Sequence, residues 1–365
     1  MHYRNIAIVA AAAILAANAY AHELSVSVVP TRSVASAAQD VEVALQYRNT
    51  GRETLYVYKW NLPGKELRDP LFEISRDGKP VRYVGPLYKR RSPTAEDLLE
   101  IAPGRSLATV VRLSDVYDMS RSGNYTIRYK MDAQRVLLDK NRKLETELAQ
   151  LASLNEPLQS ADATLFVEGR SNALLEKAQS NLFLNGLLEQ AVASSISYEG
   201  CSTSRKSSIN AAVTAGSNYA SDAVNYFAGT ATPGTARYKT WFGKYSSSNW
   251  STVKSHYSKI KTTLTSKPLV FDCSCNDSGV FAKVYPDQPY KYYLCPAFWT
   301  APMTGTDSKG GTLVHESSHF TINGGTDDYA YGQDDAKSLA KSNPSQAIQN
   351  ADNHEYFAEN NPSQQ

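Results

Sequence analysis

The residues with the clearest chemical potential are in the run Gly311-Thr-Leu-Val-His315-Glu316-Ser-Ser-His319-Phe320. Histidines four apart on a helix share one face and can offer two imidazoles to one metal ion. Glu316 follows the first histidine directly, where a carboxylate can take a proton from an attacking water. His-Glu-x-x-His is therefore the pattern of metal-assisted peptide hydrolysis. The bland reading is an amphipathic helix with His and Glu in solvent beside Leu313, Val314 and Phe320. The nearby choice of third ligands argues against it, because a catalytic zinc takes three protein ligands and keeps one position for water.

Several residues could be that third ligand. A long variant of the motif would need Gly at 322 and His at 325, but the chain has Ile322 and Gly325. A glutamate from a later helix could serve, through Glu355 or Glu359 in NADNHEYFAEN. Nearer still, Gly325-Thr326-Asp327-Asp328-Tyr329-Ala330-Tyr331-Gly332 follows a reversal marked by Asn323-Gly324. Such a turn can bring a carboxylate back over the two histidines.

The elements around these residues fall into two chemically different halves. From Leu24 the chain alternates like strands through LSVSVVP, VEVALQYRNT, TLYVYKW, FEISRDGKPVRYVG, ATVVRLS and YTIRYKM, with Gly, Pro, Asn and Asp between them. That spacing predicts a β-sandwich-like unit over residues 22–132. Residues 133–195 read as a linker or helical region, with one strand, ATLFVEG, and a helical run, NALLEKAQSNLFLNGLLEQAVAS. Residues 196–365 hold the motif, a helix in SINAAVTAGSNYASDAVNYFAG, a second helix around Trp241 to Leu264 and an extended run from Tyr285 to Phe298. Tyr290, Tyr292 and Tyr293 in that run read as packing aromatics. The expected class is α+β.

Cys201, Cys273, Cys275 and Cys295 all lie in the second half. An even count in one region suits two disulfides in an oxidising compartment, with buried thiols or a four-thiolate zinc as alternatives. The N-terminus favours disulfides. Arg4 precedes the apolar run IAIVAAAAILAA, and Ala19-Tyr20-Ala21 offers a small-residue cleavage site, so residues 1–21 read as a secretory signal peptide rather than a retained anchor. Lys and Arg number 38 against 36 for Asp and Glu. That near balance gives no electrostatic case for a nucleic-acid partner.

The HExxH motif followed by GTxDxxYG resembles the deuterolysin and peptidyl-lysine metalloendopeptidase family, the aspzincins. The resemblance implies a zincin-like catalytic domain over 196–365 that binds one catalytic Zn²⁺ through His315, His319 and Asp328. It makes Glu316 the general base and Tyr331 the donor to the oxyanion, and leaves Asp327 as a solvated or supporting carboxylate. It pairs Cys201 with Cys273 and Cys275 with Cys295. In lysine-specific members an aspartate of the late helix lines an acidic pocket for the lysine that follows the scissile bond, which by position is Asp352. His354 is expected on the polar surface of that helix or in support of the site rather than as a fourth ligand, because a catalytic zinc keeps a position for water, and Glu355 and Glu359 are expected as solvated carboxylates on the same helix. The resemblance also implies an N-terminal prodomain that acts as an intramolecular inhibitor, removed between Glu176 and Glu199. The expected product is secreted to the medium or periplasm, acts on proteins or peptides and has no stable membrane anchor. The competing account is an exported adhesin or envelope-binding protein with a structural or degenerate zinc site.

Overall fold

The computed structural model describes residues 23–62, 67–131, 137–138, 157–180, 195–229 and 235–365. The expected leader, most of the expected linker at 133–156 and most of the expected helical run at 172–194 lie outside the described residues.

Alternation of side chains builds the N-terminal half. The strand Glu42–Asn49 lies between Leu24–Pro30 and Ser106–Arg112, antiparallel to both. Its Val43, Leu45 and Tyr47 point inward every second residue, as a half-buried strand requires. A second sheet runs in the order Val34–Ala35, Ala163–Val167, Gly123–Met131, Phe72–Arg76 and Lys79–Pro80. Its Ile74, Tyr125, Ile127 and Leu165 meet the first sheet in one apolar core. The buried Tyr47 hydroxyl donates to the Asn61 carbonyl at 2.7 Å and lies 2.8 Å from the Tyr129 hydroxyl, tying the sheets by their polar ends. A third sheet joins Leu137–Leu138, Leu55–Tyr58 and Leu98–Ile101. The ATLFVEG strand belongs to the second sheet, so the β-rich part extends past Asp132 to Val167.

The C-terminal half has its own core beneath a five-stranded sheet. The strands Ile196–Glu199, Leu269–Asp272 and Lys291–Leu294 are parallel, and Val280–Val284 is antiparallel to the last. The long helix Thr203–Ala228 starts at Ser202, whose Oγ accepts from the Arg205 amide. Its Ile209 and Val213 enter the core, with Tyr219 and Val224 at the margin. The helix expected around Trp241 to Leu264 is two helices, Ala236–Phe242 and Ser247–Ser266. Gly243 separates them at φ +71°, and a Cβ there would lie 2.0 Å from the Ala340 carbonyl oxygen. Disulfides join Cys201 to Cys273 and Cys275 to Cys295.

The fifth strand of this sheet comes from the other half of the chain. Leu87–Arg90 pairs antiparallel with Val280–Val284 and covers what would otherwise be an open sheet edge. Its pairing partner is nearly 200 residues away in sequence, so no local pattern announces it.

Candidate active site

The helix Lys309–His319 carries the motif, and it is buried on every face rather than amphipathic. Its first turn is fixed by Ser308, whose Oγ accepts from the Gly311 amide at 2.9 Å. The Glu359 carboxylate in turn accepts from the Ser308 amide at 2.8 Å and hydroxyl at 2.7 Å. His319 Nδ1 donates to the Thr326 carbonyl at 2.8 Å, and His315 Nδ1 lies 2.8 Å from Asp352 Oδ1. With Nδ1 serving as the donor, His319 Nε2 presents a lone pair, and His315 Nε2 lies 3.1 Å from it. Asp328 returns over them, its oxygens 3.2 Å from His315 Nε2 and 3.5 Å from His319 Nε2. Neither Asp328 oxygen has a hydrogen-bond donor. Ligand atoms of three fully buried groups within 4.8 Å of one another form a donor set that a cation completes. The nitrogen and oxygen ligands suit zinc.

Asp328 is placed by the loop after the helix. The loop is pinned by Asn350, whose side chain accepts from the Tyr329 amide at 2.7 Å and the Ala330 amide at 3.1 Å. Asp327 is half-buried and accepts from the Asp328 amide, so it shapes the turn. Glu316 is fully buried beside the metal-site histidines, and burial pushes its carboxyl up to about 8 against the opposing pull of His315. Tyr331 brings its hydroxyl to the same cleft, where it donates to the Tyr88 carbonyl oxygen at 3.2 Å. Arg90 donates to that hydroxyl at 2.6 Å and pairs with Asp69 at 3.0 Å.

Next to the histidines lies a buried acidic cluster. Asp352 and Glu355, one turn apart on the helix Ala351–Glu359, both reach the Lys89 ammonium, at 3.5 and 2.5 Å. Asp307 adds a third carboxylate at 3.1 Å. Burial alone would lower the Lys89 pKa, but Asp352, Glu355 and Asp307 outweigh it and hold the group charged. Asp352 is further fixed by the Gly332 amide at 2.7 Å.

The structure corrects two sequence expectations on this helix and decides a third. Glu355 is a fully buried pocket wall rather than a solvated carboxylate. Glu359 is buried against the start of the motif helix. His354 is buried and accepts at Nε2 from His256 Nδ1 at 3.0 Å, away from the polar surface. The helix faces the core on all sides because it crosses behind the metal site. Sequence reasoning missed Lys89, Arg90 and Asp307. The run Lys89-Arg90-Arg91 was the available signal, since three cations in a row beside apolar residues ask for carboxylate partners.

Comparison with known proteins is consistent with this geometry. Residues 227–359 match the family model described as lysine-specific metallo-endopeptidase. An extracellular protease of Aeromonas hydrophila is 44% identical over 334 residues, covering 91% of each chain. A peptidyl-Lys metalloendopeptidase of Armillaria mellea is 39% identical over 336 residues, covering 89% of each. A peptidyl-Lys metalloendopeptidase of Pleurotus ostreatus is 54% identical over 165 residues, which cover 45% of this chain and 97% of the relative. Identity of this order along nine-tenths of two relatives, joined to an intact motif on a buried helix, means that the chain belongs to the aspzincin family of metalloendopeptidases.

Proposed function

We infer that the chain is the precursor of a secreted zinc endopeptidase that cuts proteins on the amino side of lysine. His315, His319 and Asp328 hold the zinc, which when bound supplies a Lewis acid for the peptide carbonyl and for water. Glu316 takes the proton of the attacking water and returns it to the departing amine. Tyr331 donates to the oxyanion as it forms. Asp352 orients His315 from behind, and with Glu355 it receives the substrate's lysine ammonium through charge-assisted hydrogen bonds. The observation that carries this reading is the pair of fully buried carboxylates, Asp352 and Glu355, directly beside the converging ligand atoms.

The catalytic unit is residues 196–365, and the β-rich part that runs from residue 22 to Val167, with the segment that follows it, forms a prodomain and linker removed between Glu176 and Glu199. Support comes from the Pleurotus ostreatus relative, nearly all of which aligns with less than half of this chain. Export is supported by the leader-like N-terminus, by the name of the Aeromonas hydrophila relative and by the two disulfides. No helix among the described residues is long and apolar enough to cross a membrane. An adhesin with a structural metal would leave the buried Glu316 without a task.

The test is a mixed peptide library offered to the processed protein, to Glu316→Gln and to chelator-treated protein. Cuts should fall before lysine and vanish in both controls, and cleavage that survives both would overturn the reading. In Asp352→Asn the ratio of lysine to arginine or neutral cuts should fall by at least about tenfold, the worth of one charge-assisted contact.

A further inference from the structure

The edge strand Leu87–Arg90 meets the site at three points that a substrate would also use. The Tyr88 carbonyl oxygen accepts from the Tyr331 hydroxyl at 3.2 Å. The next amide, of Lys89, donates to Glu316 Oε1 at 3.3 Å. The Lys89 side chain then fills the acidic pocket, its ammonium within 3.5 Å of Asp352 and 2.5 Å of Glu355. One peptide bond thus has its carbonyl on the oxyanion donor, its nitrogen on the base and a lysine immediately after it. The strand is held outside the site as well: Arg90 pairs with Asp69, the Arg91 amide donates to the Gly279 carbonyl at 3.1 Å, and Arg82 pairs with Asp287 at 2.8 Å. Main-chain pairing with Val280–Val284 supplies affinity, and the pocket supplies specificity, as when a peptide adds to a sheet edge.

We propose that Leu87–Arg90 is a built-in substrate mimic, with the Tyr88–Lys89 bond in the position of the scissile bond and Lys89 in the pocket that receives substrate lysine. The proposal rests on the lysine-endopeptidase reading above and names the segment by which the N-terminal half blocks the cleft. Inhibition in this form is competition. A tethered strand at an effective concentration of about 1 mM, opposing a peptide of similar intrinsic affinity near 10 μM, weakens that peptide by about 100-fold.

The experiment uses the full chain carrying Glu316→Gln, produced with zinc, so that neither strand nor probe is cut. The probe is a fluorescein-labelled Ala-Ala-Lys-Ala-Ala peptide, with norleucine replacing lysine as the control, read by fluorescence anisotropy. Adding Lys89→Ala should tighten the lysine probe at least tenfold, and in that variant the lysine probe should bind more tightly than the norleucine probe. Hydrogen exchange on the Glu316→Gln chain with Lys89 intact gives a readout that does not depend on the second variant folding. There the Lys89 amide should be protected at least about 100-fold, and saturating lysine probe should reduce that protection. Equal affinity of the lysine probe with and without Lys89, or an unprotected Lys89 amide, would overturn the mimic and leave the lysine pocket standing. A lysine probe that binds no better than norleucine in either chain would overturn the pocket and the mimic together.

Discussion

His256 and His354 share a proton deep beneath the metal site, and their environment sets a pH dependence. Burial, with Lys259 nearby, lowers His256 to about 4. Burial and the neighbouring His256 lower His354 to about 3. The unfolded chain binds protons at both near pH 6.5, while the native pair stays neutral. Native protein therefore holds fewer protons than unfolded protein below that pH. The stability from the neutral pair is complete above pH 6.5 and is lost as pH falls towards 4 and then 3. Each histidine contributes a slope of up to about 1.4 kcal/mol per pH unit in that window. Denaturant midpoints between pH 7 and 5 should fall more steeply for the parent chain than for His256→Gln. Parallel slopes would mean that the pair is not held neutral.

The motif helix owes its position to small residues as much as to its histidines. Gly310 abuts the long helix, where an added Cβ would lie 2.8 Å from the Ala215 Cβ. Gly311 faces Glu359, and a Cβ there would come within 2.1 Å of Oε1. That carboxylate is tied to Ser308 through both its amide and hydroxyl, so it has little freedom to yield. Gly311→Ala should therefore cost about 1–3 kcal/mol, the usual cost of overpacking. The change is read as a lowered thermal midpoint with the disulfides intact, and an unchanged midpoint would show that Glu359 can move aside. The disulfide Cys275–Cys295 contains the Val280–Val284 and Lys291–Leu294 pair, and closing that loop constrains the unfolded chain by about 3 kcal/mol. Both expected pairings are present. Much of this scale was legible: the β alternation, the long helix and the extended run with its buried Tyr290 and Tyr292 follow from local periodicity. The split at Gly243 was not, because it depends on how closely the Ala340 carbonyl approaches.

Across the whole molecule, two separate cores are joined through the cleft itself. The pairs Arg68–Asp277 and Arg82–Asp287 are partly exposed and add little, about 1 kcal/mol or less each. The joint depends instead on the buried Lys89–Glu355 pair, where removing one partner strands a charge, and on the hydrogen bond from Arg90 to Tyr331. The proposed processing predicts an active species that reacts with antibody to the C-terminal half and not to the N-terminal half. Blotting active fractions of culture supernatant checks this. Activity that comigrates with the full-length chain would contradict the prodomain reading.

The sequence alone brought the candidate metal ligands, base and tyrosine together, because HExxH and GTxDxxYG compress them into seventeen consecutive residues that one helix and one turn hold close. It also placed the four cysteines and Asp352. Only the tertiary structure decided that Glu355 and Glu359 are buried, that His354 faces His256, and that Lys89 fills the acidic pocket. The reason is physical. Local patterns report which residues can share a face, whereas burial of polar and charged groups depends on partners brought together from about 50 to more than 260 residues away.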